Sequence, residues 1–259
     1  MSATLSISPW ESWHPASYFE DYFGRHVAPD EQAAIRFQVE FLQRKKHKFA
    51  HALEYGCGPT LMRAIAASDY VESLDMAEWL EDNLQQISRW AANEPEADDW
   101  SPFTEYILSC EGRDMFSHAD VLAREQQTRR VLSEIMQTNA HDRFPLGKQR
   151  LASYDLLISS FCLDCLSPCK DTWRKCMRNV FGLLKPGGSF TMMALRDCKG
   201  YLVGDHWFPG ANISRMDLES ALLLCGADPA TLKVTECDVP DHANQGYQGI
   251  LLACGETLV

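Results

Sequence analysis

No stretch of this sequence reaches the roughly 20 consecutive apolar residues that a membrane-spanning helix needs. The first residues, Met1-Ser2-Ala3-Thr4-Leu5, lack the basic flank and apolar run of a secretory signal. Basic residues are scarce beside acids, 24 Lys and Arg against 36 Asp and Glu, which leaves a formal charge of −12. Affinity for nucleic acid comes largely from Lys and Arg neutralising phosphates, so a broad phosphate-binding surface is disfavoured. Repeats, low-complexity tracts and clean linkers are also missing. Together these absences predict a soluble, cytoplasmic chain with neither a nucleic-acid nor a membrane partner. Cysteine is the exception, with ten residues, yet Cys162, Cys165, Cys169 and Cys176 lack the paired knuckles of a structural zinc site. A chain of 259 residues has core enough to do without disulfides. Reduced thiols and no metal are therefore expected.

What is present is a regular alternation of strand and helix. Aromatic residues crowd the first segment, with Trp10, Trp13, Tyr18, Phe19, Tyr22 and Phe23 in one short stretch. Residues 31–48 read as an amphipathic helix, and Phe49 to Tyr55 as a short strand that runs into glycines. Further strands are expected at residues 71–77, 103–108, 154–160, 189–195, 233–238 and 249–254. Helices are expected at residues 60–67, 80–92, 121–136, 173–184 and 216–225. Such alternation implies an α/β fold with a mostly parallel sheet covered by helices on both faces. One domain over residues 1–259 is the economical reading.

The turn Glu54-Tyr55-Gly56-Cys57-Gly58-Pro59-Thr60 links a strand to a helix. Glycines allow the backbone to turn sharply and approach a ligand, and sheets of this kind bind ligands beyond the C-terminal ends of their strands. It is not the dinucleotide fingerprint, because a third glycine is missing and Pro59 follows. A tight turn without any ligand remains the plain alternative. An acid at the end of the next strand could accept both ribose hydroxyls of an adenosine. Asp75 lies inside that strand, where an ionised carboxylate is costly, whereas Glu78 lies just past it, so Glu78 is the choice. The glycines of Leu184-Lys185-Pro186-Gly187-Gly188 read as a structural turn.

Beyond these elements, Glu94-Pro95-Glu96-Ala97-Asp98-Asp99-Trp100-Ser101-Pro102 is a distinctive acidic, Trp- and Pro-rich run. With Gly56 to Thr60, Asn83 to Trp90, Cys162-Leu163-Asp164 and Leu184 to Gly188 in the same order, the chain resembles the nicotinamide, phenylethanolamine and thioether methyltransferase family. That resemblance implies a Rossmann-like class I methyltransferase with a seven-stranded sheet. Residues 1–48 would form an N-terminal helical lid and residues 49–259 the core. It also implies S-adenosyl-L-methionine as cofactor, S-adenosyl-L-homocysteine as product, a small-molecule methyl acceptor and a monomer. Tyr18 and Tyr22 would lie in the lid over cofactor and substrate, with Tyr18 also counted as catalytic. Gly56, Cys57, Gly58 and Thr60 would hold the methionine moiety, Glu78 and Asn83 the ribose, and Asn139 and Ala140 the adenine. Ser160 and Phe161 would complete the wall. The family usually has Asp at the position of Glu78, and Met62 falls where several relatives carry Tyr.

Transfer from a sulfonium is a direct in-line displacement and needs neither a metal nor a covalent enzyme intermediate. On the substrate side, the resemblance implies an acid just after the strand 189–195, where this chain reads Met193-Ala194-Leu195-Arg196-Asp197. Either Asp197 supplies a shifted catalytic carboxylate, or the pocket suits a less polar nucleophile. Asp164, Tyr201, Asn244 and Tyr247 are the other substrate candidates, while Asp205, His206 and Trp207 read equally well as a surface hairpin. His26 and His206 are read as ordinary hydrogen-bonded residues. The leading expectation is N-methylation of an amine or nitrogen heterocycle. The alternatives are S-methylation of a thioether or thiol such as methionine and, more distantly, a non-catalytic cofactor binder.

Overall fold

A computed structural model describes residues 9–24, 26–113 and 115–259. The first eight residues of the expected lid and the secretory-signal reading of Met1 to Leu5 lie outside the described residues. Seven strands form one sheet in the order β3-β2-β1-β4-β5-β9-β8. They are β1 (Ala52–Tyr55), β2 (Leu74–Glu78), β3 (Leu132–Gln137), β4 (Tyr154–Ser160), β5 (Leu184–Leu195), β8 (Lys233–Asp238) and β9 (Gly249–Glu256). The first five run parallel, and β9 runs antiparallel between β5 and β8. A separate hairpin of β6 (Gly200–Val203) and β7 (His206–Pro209) carries the segment expected as a surface hairpin.

β1 and β2 are buried along their whole length, as expected for parallel strands covered on both faces. On one face pack α2 (Pro29–Gln43), α3 (Met62–Ala67), α4 (Glu81–Ala91) and α5 (Ser101–Cys110), around Phe41, Ile65, Ile87, Trp100 and Phe103. On the other pack α7 (Lys170–Phe181) and α8 (Arg215–Leu224), around Trp173, Val180, Phe190 and Leu222. α6 (His118–Val131) leads into β3. A third cluster joins Trp13, Phe208, Tyr201 and Tyr247 above the strand ends, where α1 (Pro15–Tyr22) also lies.

Three expectations need correction. Residues 103–108 belong to a helix, α5, not a strand. Pro102 sits in its first turn, and the buried residues Phe103, Thr104, Ile107 and Leu108 repeat at helical spacing. The helix expected over residues 121–136 ends at Val131, and β3 begins with the next residue. β3 is a half-exposed edge strand, so its apolar signal is too weak to break the helical pattern. β5 also runs through Lys185-Pro186-Gly187-Gly188 rather than starting after it.

Strand order reverses between β1 and β4, with β2 on one side and β5 on the other. In sheets of this type a crevice opens at that point beyond the C-terminal strand ends. Asp75, within β2, is fully buried below this crevice and takes hydrogen bonds from Arg150 at 2.9 Å and the Tyr154 hydroxyl at 2.8 Å. It holds the sheet together and does not face the crevice.

Candidate active site

A cavity of about 570 Å³ occupies the crevice, a size usual for small-molecule sites. Its base is the turn after β1, where Gly56 and Gly58 have φ of +67° and +59°. At Gly56 the constraint is also steric, since a Cβ there would overlap the Cys162 side chain beyond β4. Around Gly58 there is open space, so only its backbone conformation asks for glycine. The Thr60 hydroxyl donates to the Cys57 carbonyl at 2.7 Å and closes the turn.

Glu78, the last residue of β2, lines one side. Its carboxylate accepts the N–H of Gly58 at 3.0 Å, the N–H of Leu80 at 3.0 Å and the Asn83 amide at 3.2 Å. Burial pushes its pKa above the ordinary value, against the pull of those donors. Asn83 in turn accepts the Trp13 indole N–H at 2.8 Å, which ties the N-terminal segment to α4.

Thr138, Asn139, Ala140 and His141 form the wall after β3, and Ser160, Phe161 and Cys162 the wall after β4. The Asn139 side-chain oxygen accepts the His141 N–H at 3.0 Å. Trp10, Trp13 and Tyr18 cover the cavity from the N-terminal segment, with Trp13 and Tyr18 rings 4.7 Å apart.

One end of the cavity is charged. Arg63 is 1% exposed; it donates to Ser160 Oγ at 3.1 Å and pairs with Glu31, while its Nη1 has no partner. Glu54, at 2% exposure, likewise leaves Oε2 unpartnered. Burial raises Glu54 to about 8 and Glu31 to about 7, although Arg63 pulls both down. An unpartnered guanidinium N–H and an unpartnered carboxyl oxygen thus belong to residues that line this end of the cavity.

A second cavity, of about 30 Å³, adjoins this end and shares Tyr18, Phe23, Glu31, Phe161, Cys165 and Tyr201 with the first. Tyr22, Asp30, Leu195 and Tyr247 complete it. Tyr247 donates to Asp30 at 2.9 Å, and the His242 ring lies 3.1 Å from Asp30 and stacks on Tyr247. Burial opposes the charge on Asp30, but its contacts with His242 and Tyr247 hold its pKa below the ordinary value.

Most residues proposed from sequence therefore converge. Tyr18, Gly56, Cys57, Gly58, Thr60, Glu78, Asn83, Asn139, Ala140, Ser160, Phe161 and Tyr201 line the large cavity. Tyr22 and Tyr247 line the small one, and Tyr22 donates its hydroxyl to the Leu202 carbonyl at 2.7 Å. Three residues lie elsewhere. Asp164 is buried away from both cavities and accepts the Leu195 N–H at 2.9 Å, with its pKa raised by burial to about 6. Asp197 lines an open surface depression beside Trp207 and Gly246. Asn244 is exposed in the 3-10 turn Pro240–Gln245. Sequence reasoning passed over Asp30, Glu31, Arg63 and Thr138. An acid pair opening a helix ordinarily sits in solvent, so no local signal marked it. Among the described residues no group of three or more His, Cys, Asp or Glu is disposed to hold a metal, and no helix is long and apolar enough to cross a membrane.

A glycine turn at the switch point of a parallel sheet, facing an acid at the end of the neighbouring strand, defines a Rossmann-like enzyme that binds an adenosyl cofactor. Solved structures share the fold. The N-methyltransferase NodS from Bradyrhizobium japonicum WM9, in complex with S-adenosyl-L-homocysteine, aligns over 97% of this chain and 99% of that one, at 15% identity and a TM-score of 0.53. A SAM-dependent methyltransferase from Methanosarcina mazei aligns over 85% and 98%, at 13% identity and a TM-score of 0.55. Among sequences, human nicotinamide N-methyltransferase is 28% identical over 83% of this chain and 81% of its own length. Mouse indolethylamine N-methyltransferase is 25% identical over 80% and 79%, and rat phenylethanolamine N-methyltransferase 26% identical over 76% and 68%. The profile of the NNMT/PNMT/TEMT family matches residues 4–254, and the chain belongs to that family. It is an S-adenosylmethionine-dependent small-molecule methyltransferase.

Proposed function

We propose that the protein N-methylates a small amine or nitrogen heterocycle. The observation that carries this reading is the pair of adjoining cavities. One has the groups suited to an adenosyl amino acid, and the other meets it at the charged end, across Tyr18 and Phe161. The relatives named above methylate nitrogen, so transfer to a thioether is not favoured.

The residues fit S-adenosylmethionine, which when bound supplies a methyl group on a positively charged sulfur. Glu78 and Asn83 would hold the ribose, and Asn139 and Ala140 the adenine. Gly56, Cys57, Gly58 and Thr60 would hold the methionine chain, with Glu54 and Arg63 at its charged end. The chain's own contribution is alignment of the nucleophile and exclusion of water. Trp10, Trp13 and Tyr18 keep water out, and Tyr18 with Phe161 forms the partition at which the acceptor is oriented. No side chain needs to form a covalent intermediate. We read residues 1–259 as one domain with a lid at 1–48, acting as a cytoplasmic monomer without nucleic acid.

Incubation with labelled methyl donor and a panel of nicotinamide, indolethylamine, phenylethanolamine and methionine tests the reading. Label is expected on nitrogen acceptors. Label on methionine alone would overturn it.

A further inference from the structure

We propose that Asp30 and Glu31, the adjacent acids at the start of α2, bind the positively charged nitrogen of the methyl acceptor in the small aromatic cavity. This assignment rests on the reading of the protein as an N-methyltransferase and names the charge state of its acceptor.

Acids in the first turn of a helix ordinarily lie in solvent, where the helix dipole favours them. Here they are 4% and 6% exposed. Both line a space of about 30 Å³ whose other walls are largely aromatic, including Tyr18, Tyr22, Tyr201 and Tyr247. Ring faces with carboxylates among them attract a cation and offer little to a neutral group. The volume is about that of one water molecule, which suits an ammonium head. The shared residues Tyr18, Phe161 and Tyr201 place that head beside the larger cavity.

The charges point the same way. Asp30 and Glu31 are adjacent buried carboxyls, with the guanidinium of Arg63 beside Glu31 and the ring of His242 beside Asp30. Buried carboxylates in excess over cations are costly, and a bound cation offsets that cost. Burial accordingly holds Glu31 near neutral pH, at about 7. The end of β5 brings only the apolar Leu195 to this cavity, and Asp197 faces a different depression. α2 thus supplies the anionic groups that β5 does not. Binding, and not the transfer step, is what these two acids are assigned. The bound ammonium has no free electron pair, so it gives up a proton, for which the Glu31 carboxylate is the adjacent acceptor, before its nitrogen attacks the methyl group.

The test is calorimetry on the full chain saturated with S-adenosylhomocysteine, using 2-phenylethylamine and its uncharged counterpart 2-phenylethanol. The amine is expected to bind at least about tenfold more tightly than the alcohol, and Asp30→Asn and Glu31→Gln are each expected to remove most of that difference. Because Glu31→Gln strands Arg63, Asp30→Asn is the decisive variant. Its amide oxygen can still accept from Tyr247, and its affinity for S-adenosylhomocysteine is expected to stay within about threefold of the parent. Equal binding of amine and alcohol, no binding of the amine, or amine affinity unchanged in Asp30→Asn would each overturn the proposal. Methylation of uncharged nicotinamide in clear preference to 2-phenylethylamine by the parent chain would overturn it too, while leaving N-methyl transfer intact.

Discussion

The Glu78 carboxylate accepts the Gly58 backbone N–H at 3.0 Å, so the end of β2 grips the turn that follows β1. One side chain thereby shapes the loop and faces the cavity. Replacing Glu78 with Ala is expected to weaken S-adenosylhomocysteine binding by roughly 1–3 kcal/mol, the scale of a lost charge-assisted hydrogen bond. Titration calorimetry checks this, and an unchanged affinity would remove Glu78 from the cofactor site.

The two glycines of the turn separate folding from binding. A Cβ at Gly56 overlaps the Cys162 side chain, so Gly56→Ala is expected to lower the melting temperature sharply through overpacking. Gly58→Ala meets no neighbour and carries only the strain of a positive φ, about 1–2 kcal/mol. It is expected to fold and yet bind cofactor poorly, because its methyl group enters the cavity. Thermal melts with and without S-adenosylhomocysteine distinguish the two.

Glu54 makes stability depend on pH. Its pKa is raised from 4.5 to about 8, so the folded form holds a proton that the unfolded form has released. Between those values the native state binds more protons, and its stability therefore falls as pH rises from about 4.5 through 8. Glu31, raised to about 7, adds to the same slope from 4.5 to about 7, and Arg63 faces both acids. Glu54→Gln is expected to flatten the fall in unfolding free energy over this range. A slope identical to the parent's in denaturant melts from pH 5 to 8 would contradict it.

Asp197 lies in the surface depression with a φ of +51°. Asn tolerates that conformation, so Asp197→Asn is expected to change neither KM nor kcat by more than about twofold, as for other surface substitutions. A large rise in KM for an amine acceptor would return Asp197 to the substrate site.

Much of this architecture is legible in the sequence because it is written in local terms. β4 is a buried run with clear ends, β8 is bounded by its turns, and Gly56 and Gly58 announce the loop directly. Glu78 could be preferred over Asp75 from the cost of burying a carboxylate within a strand. Asp75 proved able to sit there only because Arg150 and Tyr154, far along the chain, reach it. β3 was illegible because an edge strand needs little apolar character and follows α6 without a turn. α5 was misread because Phe103 and Ile107 fit a period of two as well as they fit a helix. Asp30 and Glu31 carried no mark at all, since their significance arises only where α2 meets the hairpin and the last loop.

Tyr18 is a wall of both cavities, and Trp13 beside it is fastened to Asn83 on the cofactor side. A partition common to two chambers cannot take one position for donor and another for acceptor. With donor and acceptor in these two chambers, as proposed, any free energy that one gains from settling that ring would reach the other, and the two affinities would shift by the same factor in either order of addition. A single tyrosine would then couple the two binding events.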